Sequence, residues 1–123
     1  MDAAATRLVV KVTCGVEAPE RLNQGFTVAA TALAAGADVS LWLTGEATWL
    51  AVPGRAEETD LPYAAPLAEL RDALLEGGRV TVCGQCAARR ELTADELVAG
   101  AEIRGAASFV EEILAPGTQA LVY

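Results

Sequence analysis

The chain has 123 residues, 53% of them apolar, and its nine basic against 17 acidic side chains leave a net charge of -8. That length supports one hydrophobic core and not two, so a single domain spanning 1–123 is expected. A chain this acidic repels phosphate backbones and anionic lipid, which argues against nucleic acid or a membrane surface as a direct partner.

The first stretch, MDAAATRLVVKV, has no basic flank leading into a long apolar run and a small-residue cleavage site, so no secretory signal is read there. Nor is there a run of about 20 apolar residues to span a bilayer. Three cysteines, an odd number with two closely paired, point to reduced thiols and a cytoplasmic location rather than a disulfide framework. The chain contains no histidine, which removes Ser/His/Asp and Cys/His nucleophile pairs and imidazole bases from consideration.

Along the chain, Arg7 to Thr13 and Val39 to Thr44 are rich in β-branched residues and read as strands. Between them Leu22, Phe26, Ala29, Ala30 and Leu33 recur at helical spacing, opened by Pro19 and closed by Gly36. Gly45 to Ala65 is irregular and long for a connection, and reads as a lid or an oligomer contact containing Trp49 and Tyr63. A helix follows from Pro66 with Leu67, Leu70 and Leu74 on one face, stopped by Gly77-Gly78. Arg79 to Cys83 is a strand. Thr93-Ala94-Asp95-Glu96 matches a capping box and predicts a short helix. Ala101 to Ile103 reads as a brief strand, Ala106 to Leu114 as a helix, and Gln119 to Tyr123 as a last strand. Such alternation predicts a three-layer α/β/α fold around a five-stranded parallel sheet, in the flavodoxin-like order 2-1-3-4-5.

The chemistry concentrates in Cys83-Gly84-Gln85-Cys86-Ala87-Ala88-Arg89-Arg90, where a strand is expected to give way to a loop. Ligands in open α/β sheets bind outside the carboxyl ends of the strands, and free backbone N–H groups or nearby arginines favour the thiolate. Cys83 therefore reads either as a reactive thiol, with Gly84, Gln85, Arg89 and Arg90 as its binding surroundings, or as a small apolar side chain closing a buried strand. Three thiols without histidine fall short of a four-ligand zinc site, and Gly36 and Gly45 lack dinucleotide-binding spacing, so no metal or cofactor is expected. A C-x-x-C dithiol of the redox kind usually follows an early strand and opens a helix, whereas this pair lies past mid-chain. Cys14 ends the first strand and is either a core thiol or a second acceptor. Lys11 is unusual in a central parallel strand, where a snorkelling amine or an intersubunit ion pair accounts for it.

The run RVTVCGQCAARRELTADELVAGAEI, the AASFVEEIL helix and the terminal TQALVY, together with Leu8 to Ala35 and GADVSLWLTGEA, resemble the DsrE/DsrF-like family over essentially the whole chain. The resemblance implies the flavodoxin-like sheet, homo-oligomers that are trimers or hexamers, and sulfur-donor and sulfur-acceptor proteins as partners. In sulfur-relay members it implies a persulfide-carrying cysteine at the position of Cys83, with Cys86 similar to the extra cysteine of a C-x-x-C branch. Many relatives read Arg-Gly where this chain has Arg90-Glu91, so a different turn is expected there. The functional readings are a persulfide carrier of sulfurtransferase type, a non-catalytic oligomeric subunit or small-ligand binding module, and a thiol-disulfide redox protein using Cys83 and Cys86.

Overall fold

In the computed structural model, residues 6–123 are described; residues 1–5, and with them part of the segment in which no secretory signal is read, lie outside the described residues. Five parallel strands form one sheet: β1 (Arg7–Val12), β2 (Asp38–Leu43), β3 (Arg79–Cys83), β4 (Glu102–Arg104) and β5 (Thr118–Val122). Four helices connect or flank them: α1 (Pro19–Ala34), α2 (Leu67–Gly77), α3 (Gly84–Arg89) and α4 (Ala106–Ile113). No helix among the described residues is long and apolar enough to cross a membrane.

The fold class is the expected one, but the strand order is β4-β3-β2-β1-β5 and not 2-1-3-4-5. The cause is the pairing of α1 with α2. Their apolar stripes pack on each other, so closely that a Cβ added at Gly77 would stand 3.1 Å from the Leu33 side chain. Both helices must then lie on one face, and right-handed crossovers on one face advance the sheet in one direction, from β1 to β2 to β3. The order 2-1-3 needs those helices on opposite faces. The return passes through α4 on the other face and sets β5 beside β1.

Alternation along the strands divides the side chains between the two faces. Val10, Val12, Val39, Leu41, Leu43, Val80 and Val82 join Leu22, Phe26, Ala29 and Leu74 in the core beneath α1 and α2. The opposite face carries Val9, Lys11, Ser40, Trp42, Thr81 and Cys83, aligned by the registers Lys11 with Trp42 and Trp42 with Thr81. Here α4 lays Phe109 edge-on against Trp42, with ring centroids 5.3 Å apart. Its Glu112 accepts hydrogen bonds from Ser40 Oγ (2.6 Å) and Trp42 Nε1 (3.1 Å).

The connection after β2 is more ordered than its composition suggests. It forms 3-10 turns over Gly45–Ala51 and Ala56–Glu58, and Leu50 is buried in the chain's own core. Trp49 lies beneath the Arg55 guanidinium, 4.5 Å from the ring centre. The buried Arg71 of α2 clasps Glu57 with two hydrogen bonds of 3.1 and 2.8 Å, pinning the segment to the helix. The capping box at Thr93 forms, with Glu96 accepting the Thr93 backbone N–H at 2.9 Å, but the helix it opens is a single 3-10 turn, Ala94–Glu96.

Candidate functional site

Cys83 is the last residue of β3 and the N-cap of α3, so the strand passes directly into a helix and not into the expected loop. The C-x-x-C pair thus occupies a helix start. Cys83 is half-buried, whereas Cys86, in the first turn of α3, is buried. Gly45, just past β2, donates its backbone N–H to the Cys86 sulfur at 3.2 Å. Burial pushes the Cys83 thiol up. The Cys86 backbone N–H and thiol, the Gln85 backbone N–H and the charge on Lys11 outweigh that and bring it below the ordinary thiol range. Three of these four influences come from the two residues that the sequence places beside the thiol, and the fourth from a strand more than 70 positions away in sequence.

Gly45 has φ of 54°, and a Cβ there would meet the Thr13 carbonyl oxygen at 2.7 Å. A side chain at this position would therefore collide with the end of β1 and displace the N–H that holds Cys86.

The two arginines do not point at the thiols. Arg90 is clasped by Glu46 at 2.7 Å and donates to the Cys86 carbonyl oxygen at 3.1 Å, bracing α3 against the turn that follows β2. Its guanidinium holds the Glu46 carboxyl below the usual carboxylate range. Arg89 reaches Gln85 Oε1, one turn back along α3, at 3.4 Å. Gly84 sits beside β4, where a Cβ would be 3.6 Å from the Arg104 carbonyl oxygen, an ordinary contact.

Helix α3 ends in a Schellman arrangement. Glu91 N–H bonds to Ala88 O at 3.0 Å and Leu92 N–H to Ala87 O at 2.9 Å. Glu91 takes φ of 55° itself, so a residue with a side chain makes the turn that glycine favours.

Cys14 is brought to the same edge of the sheet as Cys83 but not to the same place. β2 lies between their strands, and Cys14 belongs to the core under α1 and α2 whereas Cys83 lies on the α4 face. Burial pushes the Cys14 thiol up, and Glu17 adds to it. A cavity of about 320 Å³, lined by Val16, Leu22, Asp60 and Leu67 among others, opens on the α1 side and includes none of the residues from Cys83 to Arg90.

Lys11 is the member of the site that sequence reasoning missed. Its ammonium stands 4.7 Å from the centre of the Phe109 ring on the Cys83 face. The signal was present as a cation in a central strand, but only the sheet register shows which face it shares.

Residues 7–122 match the model of the DsrE/DsrF-like family. The chain belongs to that family. Among solved structures it is similar to the ychN protein from E. coli, with a TM-score of 0.80 at 16% identity over 96% of this chain and 99% of that one. It is also similar to MTH1491, a protein of unknown function from Methanobacterium thermoautotrophicum, with a TM-score of 0.69 at 11% identity over 95% and 98%. At such identities the likeness is one of fold. No curated protein matches the sequence significantly.

Proposed function

We propose that this protein carries sulfur as a persulfide on Cys83. The observation that supports this most directly is a half-buried thiol at the carboxyl end of β3 whose anion is favoured by the N–H groups of Gln85 and Cys86, the Cys86 thiol and Lys11. Membership of the DsrE/DsrF-like family, which is broadly associated with sulfur relay, supports it independently. In the reaction, the Cys83 thiolate attacks the terminal sulfur of a donor persulfide. A new S–S bond forms, the donor's S–S bond breaks, and the donor leaves as a thiolate with the electron pair. An acceptor thiolate removes the sulfur from Cys83 by the same displacement. Because Cys83 lies outside the cavity on the α1 side, donor and acceptor proteins that offer a sulfur at the surface suit it better than an enclosed small molecule.

Mass spectrometry after incubation with a persulfide donor tests the reading. A gain of one sulfur on Cys83, lost in Cys83→Ser, is the expected result, and equal loading of the serine variant would refute it. A dithiol redox role is the second reading, favoured by two free thiols, Cys83 and Cys86, placed together in the first turn of a helix. It predicts a Cys83-Cys86 disulfide that cycles with a thiol reductant without taking up sulfur. We further propose a homo-oligomer, with a trimer or hexamer as the form that the family resemblance implies, and a cytoplasmic site of action for a protein working through reduced thiols.

A further inference from the structure

We infer that Lys11 is the positioning counter-ion of Cys83, held in place by the Phe109 ring of α4 so that its ammonium faces the sulfur anion throughout loading and transfer. This rests on the reading of Cys83 as the sulfur carrier and assigns the residue that keeps the carried sulfur negatively charged.

Three observations converge on it. Among the described residues Lys11 has no carboxylate partner, although it is half-buried on β1, an interior strand of the sheet, where an uncompensated charge is costly. Phe109 fixes the ammonium from below, at 4.7 Å, and Phe109 is itself locked against Trp42. Thr81, in the same row as Lys11 and two residues before Cys83, has a fully buried hydroxyl without a hydrogen-bond partner.

The other charges around the thiol are engaged elsewhere. From β4, Arg104 is in register with Cys83 but is tied to Glu102 at 3.1 Å. From α3, Arg90 is held by Glu46 and Arg89 by Gln85. On α4, Glu112 is taken by Ser40, Trp42 and Arg79. Cys86 and Gln85 are the larger influences that lower the thiol, and Lys11 adds the smallest of them, the one that comes from a charge. A perthiolate extends one sulfur atom beyond the thiolate, and the field of a point charge acts on that outer sulfur without the fixed direction that a backbone N–H imposes.

The test measures Cys83 alkylation by iodoacetamide against pH, with the modified site located by mass spectrometry, in wild type, Lys11→Met and Lys11→Arg. Methionine has nearly the volume of lysine and suits a central strand, so the variant is expected to fold. Its alkylation midpoint should rise, with a severalfold slower rate at pH 7, while Lys11→Arg keeps the wild-type midpoint. Should Lys11→Met fail to fold, Phe109→Leu removes the ring beneath the ammonium and should move the midpoint the same way by less. An unchanged midpoint in a folded Lys11→Met protein, or in Phe109→Leu if only that folds, overturns the role of Lys11. Persulfide loading of the wild-type protein is measured alongside. If Lys11→Met leaves the midpoint alone and wild type still loads, only Lys11 is removed from the site. If wild type takes up no sulfur, the carrier reading itself fails.

Discussion

Gly45 and Cys86 are 41 residues apart in sequence and joined by one hydrogen bond, from the Gly45 N–H to the Cys86 sulfur at 3.2 Å. Cys86 in turn favours the Cys83 thiolate, so the end of β2 acts on the reactive thiol through one side chain. Cys86→Ala removes both links and leaves the Gly45 N–H without a partner. The Cys83 alkylation midpoint should rise, and unfolding in urea should show a loss of about 1 kcal/mol. Cys86→Ser keeps a donor and should retain part of the effect. A Cys83 midpoint identical in wild type and Cys86→Ala would show that Cys86 does not tune its neighbour.

The remaining thiols should separate in reactivity and in their influence on stability. Cys83 has its folded value lowered and Cys14 has its raised, mainly by burial. At pH 7 iodoacetamide should label Cys83 first and leave Cys14 untouched until the chain unfolds. Linkage takes opposite signs for the two. Cys83 contributes stability that is present above the unfolded thiol value of about 8.5 and is lost as pH falls through its lowered folded value. Cys14 contributes stability that is full below about 8.5 and is lost as pH rises toward its raised folded value. Cys14→Ala should therefore flatten the alkaline fall in melting temperature, read by circular dichroism between pH 8 and 10. An alkaline limb as steep as that of wild type would contradict it.

Glu91 occupies the left-handed position that ends α3, with φ of 55°. Relief of a side-chain residue in that region is worth about 1 kcal/mol, partly offset by the greater freedom of glycine in the unfolded chain. Glu91→Gly should accordingly leave melting temperature unchanged or raise it by a few degrees, and sulfur loading should persist. A marked drop in melting temperature would mean that the Glu91 side chain makes a contribution larger than the strain it causes.

Local pattern accounts for the parts of this fold that were legible in advance. Pro19, Gly36 and the Leu22–Leu33 periodicity delimit α1, and the β-branched RVTVC run delimits β3. Strand order was not legible, because it depends on α1 and α2 sharing one face, which is a property of their mutual packing. In the site, spacing placed Cys83 and Cys86 together. It overstated Arg89 and Arg90, since proximity in sequence says nothing of Glu46 arriving from another element to take Arg90. Of the two aromatics in the segment read as a lid or an oligomer contact, Trp49 lies beneath Arg55 whereas Tyr63 is fully exposed. Lys11 shows the converse, a residue whose meaning appears only once the register sets it on the face of Cys83.

Apart from Val16 and Tyr63, the exposed large apolar side chains among the described residues lie at α4 and β5. Val110 on α4 and Leu114 at its C-cap are 46% and 75% exposed, and on the edge strand Val122 is 64% exposed on the α4 side whereas Leu121, in register with Val10, is 40% exposed on the other. Large apolar side chains grouped beside an open strand edge are costly in water and invite pairing with another chain. A second copy that packs on this edge would cover both. It would also bring a neighbouring subunit beside α4, the helix that holds Phe109 under Lys11. The expectation is a light-scattering mass of at least two chains at micromolar concentration. Leu114→Glu combined with Val122→Lys should reduce it to one, because charges at the centre of an apolar contact cost several kcal/mol when buried. The far-ultraviolet circular dichroism should stay that of wild type, since both side chains are exposed in the single chain. A wild-type protein that is monomeric at that concentration would count against the oligomer, and an assembly untouched by both substitutions would move the interface away from α4 and β5.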